Sequence, residues 1–162
     1  MQFSTSLSLF PLLASLVQVA TPAATPNPPG FTYLYSLNCT LGASFSIGST
    51  RGARVAIPIT GGTVTGPRIS GKVLDLGADW GVTDNNGTFN ADTRYNVRTD
   101  DGANIFLQTS GPTQADGHIH LRMIFETGST KYGWLNNIVA VGILTAGNGY
   151  VHIDGWQLTS PA

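Results

Sequence analysis

Two stretches of this chain alternate between a mostly apolar and a mostly polar set of residues, and this restricts the fold more than any other feature. In TFNADTRYNVRT (88–99), Phe89, Ala91, Thr93, Tyr95 and Val97 fall on one side. Asn90, Asp92, Arg94, Asn96 and Arg98 fall on the other. In HIHLRMIFE (118–126), Ile119, Leu121, Met123 and Phe125 oppose His118, His120, Arg122, Ile124 and Glu126. A period of two marks a β-strand lying between two unlike environments. Other short runs rich in aromatic and β-branched residues surround these two: FTYLYSLN (31–38), TLGASFSI (40–47), ARVAIPIT (53–60) and ISGKVLDLG (69–77). Asp101-Gly102 is a hairpin turn into NIFLQT, and YGWLNNIVAVGILTAG and GYVHIDGWQL supply the last strands. No segment after residue 24 holds a helical period.

The expected fold is all-β: a single antiparallel β-barrel of about eight to ten strands over residues 34–160. A sandwich would use the same strands, but a barrel removes the exposed edges. An eight-stranded barrel either fills its interior or holds one small ligand. Glycine is abundant at 20 residues and charged residues make up only 10%, as suits many turns and a weakly charged surface. The net charge of -1 provides no basic field, which argues against nucleic acid or an anionic membrane as partner. Cys39 is the sole cysteine, so an internal disulfide and a thiolate metal site are excluded. Within a sequon, Cys39 reads as a small buried hydrophobe.

The N-terminus differs from the rest. LSLFPLLASLVQVA (7–20) is too short to span a bilayer and is followed by the small, proline-rich TPAATPNPPG. Residues 1–24 are expected to be a secretory signal and 25–33 a proline-rich lead-in, although no basic residue precedes the apolar run and Pro11 interrupts it. The sequons at Asn38 and Asn86 fit export and mark surface positions if glycosylated.

The motifs GADW (77–80), DTRY (92–95), TDDGANI (99–105), FETGSTKYGWLNN (125–137) and VGI (141–143) carry a family likeness. In them the chain resembles small β-barrel proteins of bacteria and fungi, long known as a domain of unknown function. Their barrel is similar to that of allene oxide cyclases and plant dirigent proteins. The resemblance spans about residues 34 to 158 and implies the fold. For function it implies only an analogy, in which cyclase-like relatives steer reactive intermediates with a shaped cavity and few chemical groups.

Three groups of residues are candidates for chemistry. Asp79 and Trp80 are adjacent, so on a strand they face opposite ways. Asp79 either caps a turn or, as the resemblance implies, sits at a barrel mouth or lumen, where desolvation would raise its pKa and suit it to acid–base work. Gly77 and Gly81 let the backbone turn closely around the pair. Arg94, Arg122 and Glu126, the last being the chain's only glutamate, lie on the polar faces of the alternating strands. Facing inward they would form a cation–carboxylate set that orients an enolate or phenolate, and facing outward they are surface charges. Asp79, Arg94, Arg122 and Glu126 are the expected catalytic set, with a cavity shared by Asp79, Trp134 and at least one of the other three. Trp80, Tyr95, Tyr132, Trp134 and Asn136 are the expected ligand wall, Tyr132, Trp134 and Asn136 sharing one strand face. A packed barrel end is the other reading of those aromatics.

His118 and His120, with Asp116 or Asp154, read as solvated residues and not as a metal site. No nucleophile elbow or phosphate loop is present. Neither metal nor cofactor is therefore expected, and the partner is a small organic ligand, with a homo-oligomer left open. Two functions fit. One is a cofactor-free cyclase, isomerase or dehydratase acting on a natural-product-like molecule, favoured by ionisable groups in motif positions. The other is a non-catalytic carrier, favoured by the missing nucleophile, metal site and cofactor loop.

Overall fold

The computed structural model describes residues 25–48 and 50–161. The expected signal segment therefore lies outside the described residues.

Each apolar run becomes a strand: β1 Gly30–Leu41, β2 Phe45–Ser46, β3 Ala53–Thr65, β4 Ser70–Asp79, β5 Val82–Thr83, β6 Phe89–Thr99, β7 Asn104–Pro112, β8 Ile119–Glu126, β9 Ala140–Ala146 and β10 Tyr150–Thr159. The eight long strands pair antiparallel in the order β1-β10-β9-β8-β7-β6-β4-β3, and β3 pairs back onto β1. That last ladder closes the ring, as the sequence predicts. The short β2 and β5 extend β3 and the β3/β6 junction at one end.

The alternation decides which side is inside. In β6 the residues Ala91, Thr93, Tyr95 and Val97 are buried, and in β8 so are Ile119, Leu121, Met123 and Phe125. The barrel is small enough to be filled from its apolar face. Burial is densest in the half bounded by the β3–β4 and β6–β7 hairpins, around Leu34, Tyr35, Val64, Ile69, Val97, Ile105, Leu107 and Phe125. Truncating a side chain such as Ile105 to Ala there would cost about 2–5 kcal/mol.

The β8–β9 connection departs from the sequence expectation. Residues Gly133–Asn137 form a 3₁₀ turn instead of a strand, and Leu135 is its buried anchor. The period-two grouping of Tyr132, Trp134 and Asn136 therefore does not hold.

A bulge in β4 sets the position of the next residues. Between the pairs Val73–Val97 and Gly77–Tyr95, β4 runs from 73 to 77 while β6 runs only from 97 to 95. The surplus swells outward, leaving Leu76 63% exposed. Because two residues are inserted, Asp79 stays on the inward face with Val73. Gly77, at φ 156, is where the strand rejoins the ladder; a Cβ there would lie 2.4 Å from the Arg94 carbonyl oxygen.

Candidate functional site

The end of the barrel built from the β7–β8 and β9–β10 turns and the loops beside β2 and β5 holds a cavity of about 290 Å³. Its wall is mostly aliphatic, with Ile57, Ile59, Ile119, Leu144, Val151 and Ile153 among its residues. Phe89 leans over the mouth because Gly81 has no side chain: a Cβ there would come within 2.2 Å of the Phe89 ring. The polar residues of the wall are Asp79, Thr93, Thr109, Thr113, Tyr95 and Cys39.

Asp79 ends β4 and sits in the ladder between Ile57 of β3 and Thr93 of β6. Its Oδ1 accepts the backbone N–H of Asp92 at 2.8 Å. Burial raises its pKa above the ordinary carboxylate value; the Asp92 N–H and the Thr93 hydroxyl partly offset this, and the Asp92 carboxylate adds to it. No Lys, Arg or His is among the wall residues to hold it as an anion. It is a carboxyl in a largely apolar chamber, able to exchange a proton with a ligand closer to neutral pH than a surface aspartate can.

Trp80 does not line the cavity. Its backbone N–H donates to the Asp92 carbonyl at 2.9 Å and its carbonyl accepts from Arg54 Nη1 at 2.5 Å, fixing the turn at the rim. The Arg94 guanidinium lies 6.0 Å from its ring. The pleat has separated the adjacent pair, with Asp79 in the lumen and Trp80 at the rim outside it.

The expected charged constellation is corrected. Arg94 lies on the outer face of β6, paired with Asp92 at 2.9 Å, and Arg122 and Glu126 are exposed on the outer face of β8. The alternation that buries Tyr95 and Phe125 sends these three outward. None of them lines the cavity with Asp79.

The aromatic wall is corrected in the same way. Tyr95 lines the cavity, but Tyr132, Trp134 and Asn136 are at the opposite end of the barrel. There the Tyr132 hydroxyl donates to Asp101 Oδ1 at 3.1 Å and the Arg68 guanidinium stacks 3.5 Å above the Trp134 ring. Asn136 brackets Thr127, accepting its N–H and donating to its carbonyl, each at 2.9 Å. These residues close the packed end. Lys131 and Thr99 hold the Asp101 carboxyl down to about 2 at the same end. Sequence reasoning missed Thr93, Thr109, Thr113 and Cys39 as wall residues; the inward row of β6 was the signal that could have found Thr93.

Among the described residues, no three His, Cys, Asp or Glu side chains converge as metal ligands would. His118 pairs with Asp116 at 3.4 Å, His152 pairs with Asp154 at 3.1 Å, and His120 is exposed. Cys39 is buried and its thiol is pushed up to about 12, so it is no nucleophile at neutral pH. Asn38 and Asn86 are both exposed on the outside of the barrel.

Residues 29–123 match the family model described as protein of unknown function DUF3237. The chain belongs to the DUF3237 family. A DUF3237 barrel therefore encloses this cavity, and bacterial and fungal relatives share the family. A hydroalkoxylation enzyme from Penicillium herquei is 32% identical over 152 residues, covering 92% of this chain and 98% of the relative. A UPF0311 protein of Rhodopseudomonas palustris is 31% identical over 144 residues, covering 78% of this chain and 94% of the relative. Among solved structures, a β-barrel-like protein from Acinetobacter baumannii superposes with a TM-score of 0.78 at 36% identity, over 85% of this chain and all of that one. An enzyme from Penicillium herquei superposes with a TM-score of 0.68 at 31% identity, over 84% of this chain and 98% of that one.

Proposed function

We propose that this DUF3237 barrel is a cofactor-independent enzyme that adds a hydroxyl group of a small, largely apolar molecule across a carbon–carbon double bond of the same molecule, closing a ring. The observation that carries the reading is the Asp79 carboxyl, set among aliphatic and hydroxyl-bearing wall residues with no cation beside it. The hydroalkoxylation enzyme from Penicillium herquei, 32% identical along almost the whole chain, supports the same reaction class.

The chemistry balances without an external reagent. The O–H bond of the substrate breaks, a C–O bond forms at one alkene carbon, and the other alkene carbon gains a proton. The product is an isomer of the substrate. Asp79 accepts the hydroxyl proton as the oxygen attacks and returns a proton to the carbon, so the carboxylate is regenerated. The aliphatic wall holds the reactive conformer and excludes water. A wall without cations disfavours substrates that arrive as carboxylates or phosphates, which would lose hydration and meet a carboxyl of the same sign.

The expected signal peptide and the two outward sequons support a setting in the secretory pathway.

The test uses 2′-hydroxychalcone as probe and reads the flavanone formed by chiral chromatography. The reading expects one enantiomer in excess and its loss in Asp79→Asn. Racemic product at the buffer rate would overturn it. A bound probe released unchanged, with equal affinity in wild type and Asp79→Asn, would identify a carrier instead.

A further inference from the structure

The barrel interior holds two tyrosines whose hydroxyls have no use in the fold. Tyr35 of β1 and Tyr95 of β6 are each 1% exposed, and neither hydroxyl has a hydrogen-bond partner among the described residues. The two hydroxyls lie close enough to act on each other's ionisation as hydrogen-bonding neighbours, although the contact falls short of a well-formed bond. Tyr95 is part of the wall of the main cavity. Tyr35 also lines a separate void of about 10 Å³ with the apolar residues Val64, Ile69, Val97, Ile105, Leu107 and Phe125.

A count of donors sharpens the problem. Two neutral phenols bring two O–H donors, and a bond between them would use only one. Burial holds both in the neutral, donating form. An unpartnered hydroxyl is costly in an apolar interior, where phenylalanine would fill the same space without that cost. Native interiors rarely keep such a group without a reason. Met123 and Phe125 show that this core accepts purely apolar side chains at the same level; the Phe125 ring packs edge-on against Tyr35 with centroids 6.2 Å apart.

We propose that the buried Tyr35–Tyr95 hydroxyl pair, of which Tyr95 belongs to the wall of the cavity that Asp79 overlooks, is a binding site for a ligand carbonyl oxygen. The substrate class is then an aryl or alkenyl ketone whose double bond is conjugated to that carbonyl. This rests on the ring-closure reading for its chemical consequence. When the hydroxyl oxygen attacks the far alkene carbon, the electron pair of the double bond moves onto the carbonyl oxygen, giving an enolate. The tyrosine pair donates to that oxygen in water-excluded surroundings, where such bonds are strongest. Collapse of the enolate re-forms the C=O, and the neighbouring carbon takes the proton from Asp79.

The test reads binding, not turnover, with two probes of nearly equal shape: 1-tetralone and its hydrocarbon counterpart tetralin. Wild-type protein should bind tetralone about tenfold more tightly, a difference of about 1.4 kcal/mol. In Tyr95→Phe that preference should vanish while tetralin affinity stays the same, and Tyr35→Phe should reduce it. Both variants should melt at or above the wild-type temperature in the absence of ligand. A tetralone preference unchanged in Tyr95→Phe, or absent in wild type, overturns the proposal. So does a clear loss of melting temperature in both variants, which would make the hydroxyls structural. Arg122→Ala, on the outer face of β8, should leave the tetralone preference intact. Because binding is read apart from turnover, a failure of ring closure with 2′-hydroxychalcone sinks the reaction and leaves the carbonyl site standing.

Discussion

Asp79 and Thr93 face each other across the β4–β6 ladder, both pointing into the barrel, and the residue before Thr93 gives its backbone N–H to the Asp79 carboxyl at 2.8 Å. Asp79 is thus held from the neighbouring strand in a position that keeps it in the lumen. Its protonation should govern what the cavity does.

Asp79→Asn removes a carboxyl and keeps an oxygen that can still accept the Asp92 N–H. Turnover of a reacting probe should fall by about 10²–10⁴-fold, the usual contribution of a positioned acid–base group. Melting temperature at pH 7 should stay level or rise. A fall of more than about 1 kcal/mol, or some 2–4 °C in a chain of this size, would mark Asp79 as a structural cap.

The pH dependence follows from the raised pKa. The folded state holds the Asp79 proton more tightly than the unfolded chain, so between the ordinary value of 3.8 and the raised folded value it binds more protons. Through that window the Asp79 contribution to stability falls as pH rises. The stability gap between Asp79→Asn and wild type should be widest near neutral pH and close as pH falls toward 3.8. Turnover that uses the ionised carboxyl should rise through the same window. Thermal melts and initial rates from pH 3.5 to 8 check both, and a gap that widens on acidification would contradict the assignment.

Arg122→Ala and Glu126→Ala change exposed groups on the outer face of β8. Each should alter stability by no more than about 0.5 kcal/mol and leave probe turnover unchanged. A large loss of turnover in either would show that the outer face takes part in function.

Val151→Phe adds bulk to the cavity wall without touching a polar group. Binding of tetralin or tetralone should weaken at least tenfold, while circular dichroism and the melting temperature stay close to wild type. Equal weakening by a substitution on the outer wall, such as Ile124→Phe, would argue that ligands bind elsewhere.

Expression of the full chain in a eukaryotic host should release protein lacking residues 1 to about 24, with glycans on Asn38 and Asn86. Intact mass before and after enzymatic deglycosylation reads both. Retention of Met1 would count against export.

The fold was legible because period two survives in sequence wherever a strand divides core from solvent. Phe89 to Val97 and Ile119 to Phe125 each separate an apolar from a polar face, and the narrow bore of the barrel decides which one lies inside. Asp79 was legible in part: the pleat turns one of Asp79 and Trp80 toward the axis, and the family resemblance, not the period, favours Asp79. The charged groups misled because their scarcity drew attention, whereas the alternation that buries Tyr95 had already sent Arg94 outward. Tyr132, Trp134 and Asn136 misled because a five-residue 3₁₀ turn leaves no periodic trace in so short a stretch. The unpartnered hydroxyls of Tyr35 and Tyr95 could not be read in advance, since β1 and β6 are distant in sequence and meet only when the ring closes.

The surplus in β4 has a consequence for how this family can vary in length. If the strand re-paired with β6 without a bulge after deletion of one residue between Leu74 and Leu76, every later side chain would change sides, turning Asp79 out and Ala78 in. The barrel would survive with its carboxyl on the wrong side of the wall. Deleting two would restore the original facing and only straighten the strand. Insertions and deletions at this point should therefore be tolerated in pairs and lost singly, and a deletion series through residues 74–76 would show activity alternating while folding persists.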